Sequence, residues 1–236
     1  MQGLLRVLPH ALTLTNLAAG CVAAVALVQG KLWIVPWCVL TSAVADFFDG
    51  FAARRAGVSG PFGRELDSLA DLVSFGLSPA LMAYVLLEAS GLAQPWPYLG
   101  LWIVLMSAVR LARFNVEQAD VKHFIGLATP ANTLLWFGLL QAWRSDAAGL
   151  GEWLANPALI GILVLLTGAL LVSSLSYPSN KIDPRRTANW PLWLCAALLI
   201  VLPWLVGWLT LPVVMLIYVA SGFFWRAPSA RHVDPA

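Results

Sequence analysis

Charge is scarce in this chain. Lys, Arg, Asp and Glu together make up 11% of its 236 residues, against about 25% in an average soluble domain. So low a charge density excludes a disordered chain, a nucleic-acid binder and an ordinary soluble enzyme. Cysteine is scarcer still. Cys21, Cys38 and Cys195 each sit in an apolar run and no C-x-x-C pair exists, so neither a disulfide nor a zinc site is expected. A cleavable signal peptide is not expected either, because Leu12 to Val28 starts too polar and no small-residue cleavage site follows. Internal repeats and low-complexity tracts are lacking too.

What fills the chain is hydrophobic. Types AVILMFWYC account for 60% of it, and mean hydropathy is +0.78. This predicts an all-α, polytopic membrane bundle of about eight transmembrane helices, because each span needs roughly 20 apolar residues. The spans fall near 11–28, 33–53, 66–87, 97–114, 128–143, 157–176, 189–205 and 208–225. Turn-forming stretches such as Gly60-Pro61, Pro95-Trp96-Pro97 and Pro178-Ser179-Asn180 separate several of them. Eight spans put both termini on one side. Twelve of the fourteen Lys and Arg fall on that side, the exceptions being Lys31 and Arg144. Excess positive charge marks the cytoplasmic face, so both termini are expected there. Trp33, Trp37, Trp96, Trp143, Trp153, Trp204 and Trp208 fall at the opposite boundary and read as interfacial anchors.

Against so little charge, one acidic cluster stands out. Asp46, Asp49, Asp67 and Asp71 lie within 26 residues, at the predicted cytoplasmic ends of spans 2 and 3. Asp46 and Asp49 are i, i+3 and share one helix face; Asp67 and Asp71 are i, i+4 and share a face of the next. Four ionised carboxylates at one spot need a counter-charge. Hard divalent cations supply it, and all-oxygen ligands suit Mg²⁺ or Mn²⁺. Two ions held this way are a known arrangement for phosphoryl displacement. Acids paired with Arg54, Arg55 and Arg64 are the plainer alternative. Gly50 leaves room for a ligand at the backbone, Gly63 stands one turn before Asp67, and Arg54 is near enough to reach a diphosphate.

Residues 46–71 read DFFDGFAARRAGVSGPFGRELDSLAD, or D-x2-D-G-x2-A-R-x8-G-x3-D-x3-D. This resembles the signature of the CDP-alcohol phosphatidyltransferase family. The resemblance implies enzymes that attack the diphosphate of a CDP-linked lipid with an alcohol and release CMP. It implies that Asp46, Asp49 and Asp67 hold two metal ions, and that Asp71 adds to that site and acts as general base. It also implies that Gly50, Arg54 and Gly63 line the nucleotide and diphosphate region, and that members are homodimers. The resemblance covers the first six spans, about 11–176, so spans 7 and 8, about 189–225, look like an addition within one catalytic domain, 1–236.

The segments LPHALTLTNLAAG (8–20), LDSLADLVSFGLSPA (66–80), RLARFN (110–115), FIGLATPA (124–131) and SLSYPSNK (174–181) resemble the branch of the family that uses serine as acceptor. Two departures are minor: Ala128 stands where proline is usual, and His10 where Asn is usual. Serine is a zwitterion whose carboxylate suits a guanidinium fork. Arg110 and Arg113, one turn apart at the end of span 4, are the candidates, with Asn115 and Lys122 as helpers. Asn16 in span 1 is expected to contact the nucleotide, with interhelical bonding as its alternative. Tyr177, Ser179 and Lys181 could close the pocket. His10, His123 and His232 read as interfacial or tail residues without chemistry.

The expected partners are thus CDP-diacylglycerol, serine and the lipid bilayer, with no nucleic acid, at the cytoplasmic face of the cell membrane. Glycerol 3-phosphate is the first alternative acceptor, with choline, inositol or another alcohol open as well. A cation-coupled transporter is the alternative outside enzymes, although the acids sit near one face rather than at the midplane.

Overall fold

The structure is a computed structural model that describes residues 2–57, 60–117, 124–154, 156–177, 195, 198 and 207–224. It is helical, as expected. The helices are α1 (Gln2–Val28), α2 (Val35–Ala56), α3 (Pro61–Asp71), α4 (Ser78–Ala89), α5 (Trp102–Glu117), α6 (Thr129–Arg144), α7 (Gly151–Leu154), α8 (Pro157–Leu171) and α9 (Thr210–Phe224). One departure is a two-residue antiparallel pair, β1 (Phe124–Ile125) with β2 (Ser176–Tyr177), which ties the loop before α6 to the chain after α8. The expected span at 189–205 lies outside the described residues, Cys195 and Leu198 apart. Span 6 is shorter than expected, because the helix ends at Leu171.

Three helices among the described residues are long and apolar enough to cross a membrane: Val7–Val28, Pro61–Ala89 and Trp96–Val116. The second is continuous through a π-helical segment, Leu72–Leu77, between α3 and α4. Pro79 accounts for it. Proline has no N–H and cannot bond the carbonyl of Phe75 four residues back. The helix widens instead, and the Ser78 N–H bonds Val73 five residues back. The Phe75 carbonyl accepts the Thr133 hydroxyl of α6 at 3.2 Å.

Lipid offers helices little hydrophobic drive to associate, so close packing and interhelical hydrogen bonds hold the bundle. The core sits around α4 and α6, where Phe75, Met82, Leu86, Leu87, Leu135, Trp136 and Leu140 are fully buried. The Trp136 indole N–H donates to Thr167 of α8 at 3.3 Å. Gly20 of α1 lies so close to the π segment that a Cβ there would come within 2.8 Å of the Ser74 Cα. Trp33, Trp37, Trp96, Trp153 and Trp208 are exposed, as anchors should be, and Trp143 is half-buried. Trp204 lies outside the described residues.

Gly57 closes α2 in the left-handed conformation (φ 63°), its N–H bonded to Ala53. Extended Gly60 and then Pro61 open α3. α2 and α3 together set Asp67 beside Asp46 and Asp49.

Candidate active site

Asp46 and Asp49 come from the last turns of α2, and Asp67 from the middle of α3. Each offers a carboxylate oxygen, and these oxygens lie within 4.8 Å of one another. Asp49 is 5% exposed. Asp49 Oδ2 and Asp67 Oδ1 are buried with no hydrogen-bond partner. Orphaned carboxylate oxygens in such a place are costly. An oxygen-ligated divalent cation would satisfy them, so the donor set fits the expected metal.

Asp71 is placed beside this trio rather than in it. Asn16 of α1 donates from Nδ2 to Asp71 Oδ1 at 3.2 Å. Asn16 is itself fully buried, and its backbone carbonyl accepts two hydroxyls, Ser42 of α2 at 3.3 Å and Ser74 of the π segment at 2.8 Å. One residue thus links three helical segments and holds the fourth acid.

A cavity of about 280 Å³ adjoins the acids, lined by Pro9, His10, Thr13, Asp49, Gly50, Ala53, Arg54, Gly60, Gly63, Arg64 and Asp67. Gly50, Arg54 and Gly63 therefore meet where the sequence put them. The Arg54 guanidinium folds back over Gly50, with Nη1 3.3 Å from where a Cβ would stand. Asn16 is not in the cavity wall; it meets Asp71 instead. His10 is the residue that sequence reasoning missed. Its Cε1 is 3.2 Å from where a Gly63 Cβ would stand, and its ring meets Phe62 edge-on at 5.5 Å. One signal was available: His10, Thr13 and Asn16 recur at three-residue spacing on α1.

Of the four residues proposed for the acceptor, the three that are described do not stay together. Arg110 is partly buried and donates from Nη1 to Thr129 Oγ1 of α6 at 3.4 Å, while its Nε is buried without a partner. Arg113 is exposed and donates to the Val172 carbonyl at 3.2 Å. Asn115 turns to α3, bonding Ser68 at 3.0 Å and Glu65 at 3.4 Å. Lys122 lies outside the described residues.

An oxygen-only ligand cluster beside a cavity that carries Arg54 and Arg64, set in an apolar helical bundle, fits phosphate chemistry in a membrane protein. Residues 6–219 match the CDP-alcohol phosphatidyltransferase family, and the chain belongs to that family. The match runs past residue 176 into the segment expected to be an addition. The chain is 40% identical over 146 residues to a CDP-diacylglycerol–serine O-phosphatidyltransferase of Methanocaldococcus jannaschii, covering 61% of this chain and 64% of that protein. It is 31% identical to a protein of the same name from Bacillus subtilis, over 74% of this chain and 91% of the relative. It is 30% identical to an archaetidylserine synthase of Methanothermobacter thermautotrophicus, over 72% of this chain and 69% of the relative. The transporter alternative falls with the family assignment.

Proposed function

We propose that this protein transfers the phosphatidyl group of CDP-diacylglycerol to L-serine, giving phosphatidylserine and CMP. The observation that carries the reading is the convergence of Asp46, Asp49 and Asp67 on one spot beside the cavity, with Asp71 alongside them and bonded by Asn16. The names of the relatives share serine and differ in the lipid, which favours serine as acceptor.

Two Mg²⁺ or Mn²⁺ ions, held by the three converging acids with Asp71 completing the set, would neutralise charge on the diphosphate and the departing CMP. The remaining work falls to the protein. Arg54, folded over Gly50, is in reach of the diphosphate, and the missing side chains at Gly50 and Gly63 let the donor approach the backbone. His10 and Phe62 wall the nucleotide end. Asp71 accepts the hydroxyl proton of the acceptor, because an alcohol is a weak nucleophile without a positioned base. Asn16 bonds one oxygen of Asp71 and leaves the other to take that proton. Arg110, tethered by Thr129, meets the serine carboxylate; Arg113 and Asn115, committed elsewhere, support the loop and α3. The site opens at the cytoplasmic face of the cell membrane, where the lipid and the soluble acceptor can meet. A homodimer is the expected assembly.

Purified protein given CDP-diacylglycerol, Mg²⁺ or Mn²⁺ and one alcohol at a time should release CMP and form phosphatidylserine with serine. Formation of phosphatidylglycerophosphate from glycerol 3-phosphate, with no phosphatidylserine, would overturn the acceptor and leave the chemistry standing. No CMP with any alcohol would overturn both.

A further inference from the structure

Asn132 of α6 is fully buried, and neither its Nδ2 nor its Oδ1 has a hydrogen-bond partner. A buried amide with both ends empty is rare and costly, and calls for an explanation. Its position supplies one. Asn132 lies three residues after Thr129, so both side chains rise from one side of α6, and Thr129 is the residue that tethers Arg110. The Arg110 Nε is likewise buried and unpartnered. The π segment that directly follows Asp71 packs against both α5 and α6, the helices that carry Arg110 and Asn132.

We infer that Asn132 is a specificity-determining residue that binds the acceptor alcohol, an inference resting on the function proposed above. The complementarity is chemical. Arg110 Nε and Asn132 Nδ2 are donors suited to a carboxylate, and Asn132 Oδ1 is an acceptor suited to an ammonium group. Together they match the two charges of an α-amino acid. A phosphorylated acceptor such as glycerol 3-phosphate has no ammonium group to offer Oδ1. A site built to bond a substrate group rejects analogues lacking it, because its own buried polar atoms are then left unpaired.

Asn132→Leu and Asn132→Ser test this in the full-length protein. The leucine variant keeps the branched outline of the side chain and removes the unpaired amide, so its melting temperature should hold or rise. Its KM for serine should increase about tenfold or more, the loss expected for hydrogen bonds to a charged ligand, while the KM for CDP-diacylglycerol stays close to wild type. The serine variant should lie between the two. If Asn132→Leu lowers the melting temperature, or raises both KM values together, the residue serves packing and the inference is overturned. An unchanged serine KM overturns it as well. Wild-type protein screened against other alcohols keeps the two readings apart. If another alcohol is the true acceptor, the function proposed above fails, and the same KM comparison made with that alcohol still decides the role of Asn132.

Discussion

At the scale of single residues, the acids divide by what holds them. Asp71 is bonded by Asn16 and set beside the trio, so Asp71→Asn should keep the shape and remove the proton acceptor. Turnover should fall about 10²–10⁴-fold, with CDP-lipid binding retained; near-wild-type turnover would take Asp71 out of the mechanism. Asp49→Ala should act through the metal. Its activity should need more Mg²⁺ or Mn²⁺ than wild type, or be lost, and a metal titration that overlays wild type would show the ligands lie elsewhere. Gly63 sits against His10, so Gly63→Ala should drive the imidazole into the cavity. The KM for CDP-diacylglycerol should rise while that for serine stays put, and adding His10→Ala should reverse much of the rise. The acids and both glycines were legible because charge is conspicuous in an apolar chain and the spacing fixes the face. His10 was not, since a lone histidine near a helix start has the same appearance whether it anchors or lines a cavity. Asn132 was hidden similarly, as one amide in a span whose hydropathy it barely alters.

At the scale of elements, the described residues are helical along the expected apolar runs outside 189–205, and three of these helices are long and apolar enough to cross a membrane, because such runs leave the backbone no alternative in lipid. The π segment was not legible. Widening a helix by one residue leaves the hydropathy profile unchanged, and only Pro79 inside a span hinted at it. Its cost is offset by Thr133, whose hydroxyl takes the carbonyl that Pro79 cannot. The hydroxyl is shared with the Thr129 carbonyl at 3.0 Å, and Thr133→Val keeps the shape while removing the donor that reaches the Phe75 carbonyl. We expect a loss of about 1 kcal/mol, the scale of interhelical hydrogen bonds in membrane proteins, read as a lower melting temperature in detergent. Because the π segment follows Asp71 directly, turnover should fall too. A variant with wild-type melting and turnover would show that the carbonyl finds another partner.

At the scale of the whole molecule, the distribution of basic residues predicts that both termini and the acidic hairpin face the cytoplasm. Reporter fusions at each terminus, and a cysteine placed beside Lys31 for labelling, test it: the fusions should report inside and the cysteine outside. Labelling of that cysteine from the cytoplasmic side would invert the arrangement. The double acceptance by the Asn16 carbonyl has a consequence for how such a protein can change. It rivets α1, α2 and the π segment into one stiff jaw, so that jaw cannot be reshaped one helix at a time. On the other side, α5 and α6 are joined at Arg110 by the single Arg110–Thr129 bond, and the Asn132 side chain has no partner among the described residues. Retuning this scaffold to a new alcohol is therefore a problem with one adjustable side, and a library confined to Arg110, Thr129 and Asn132 is the place to begin.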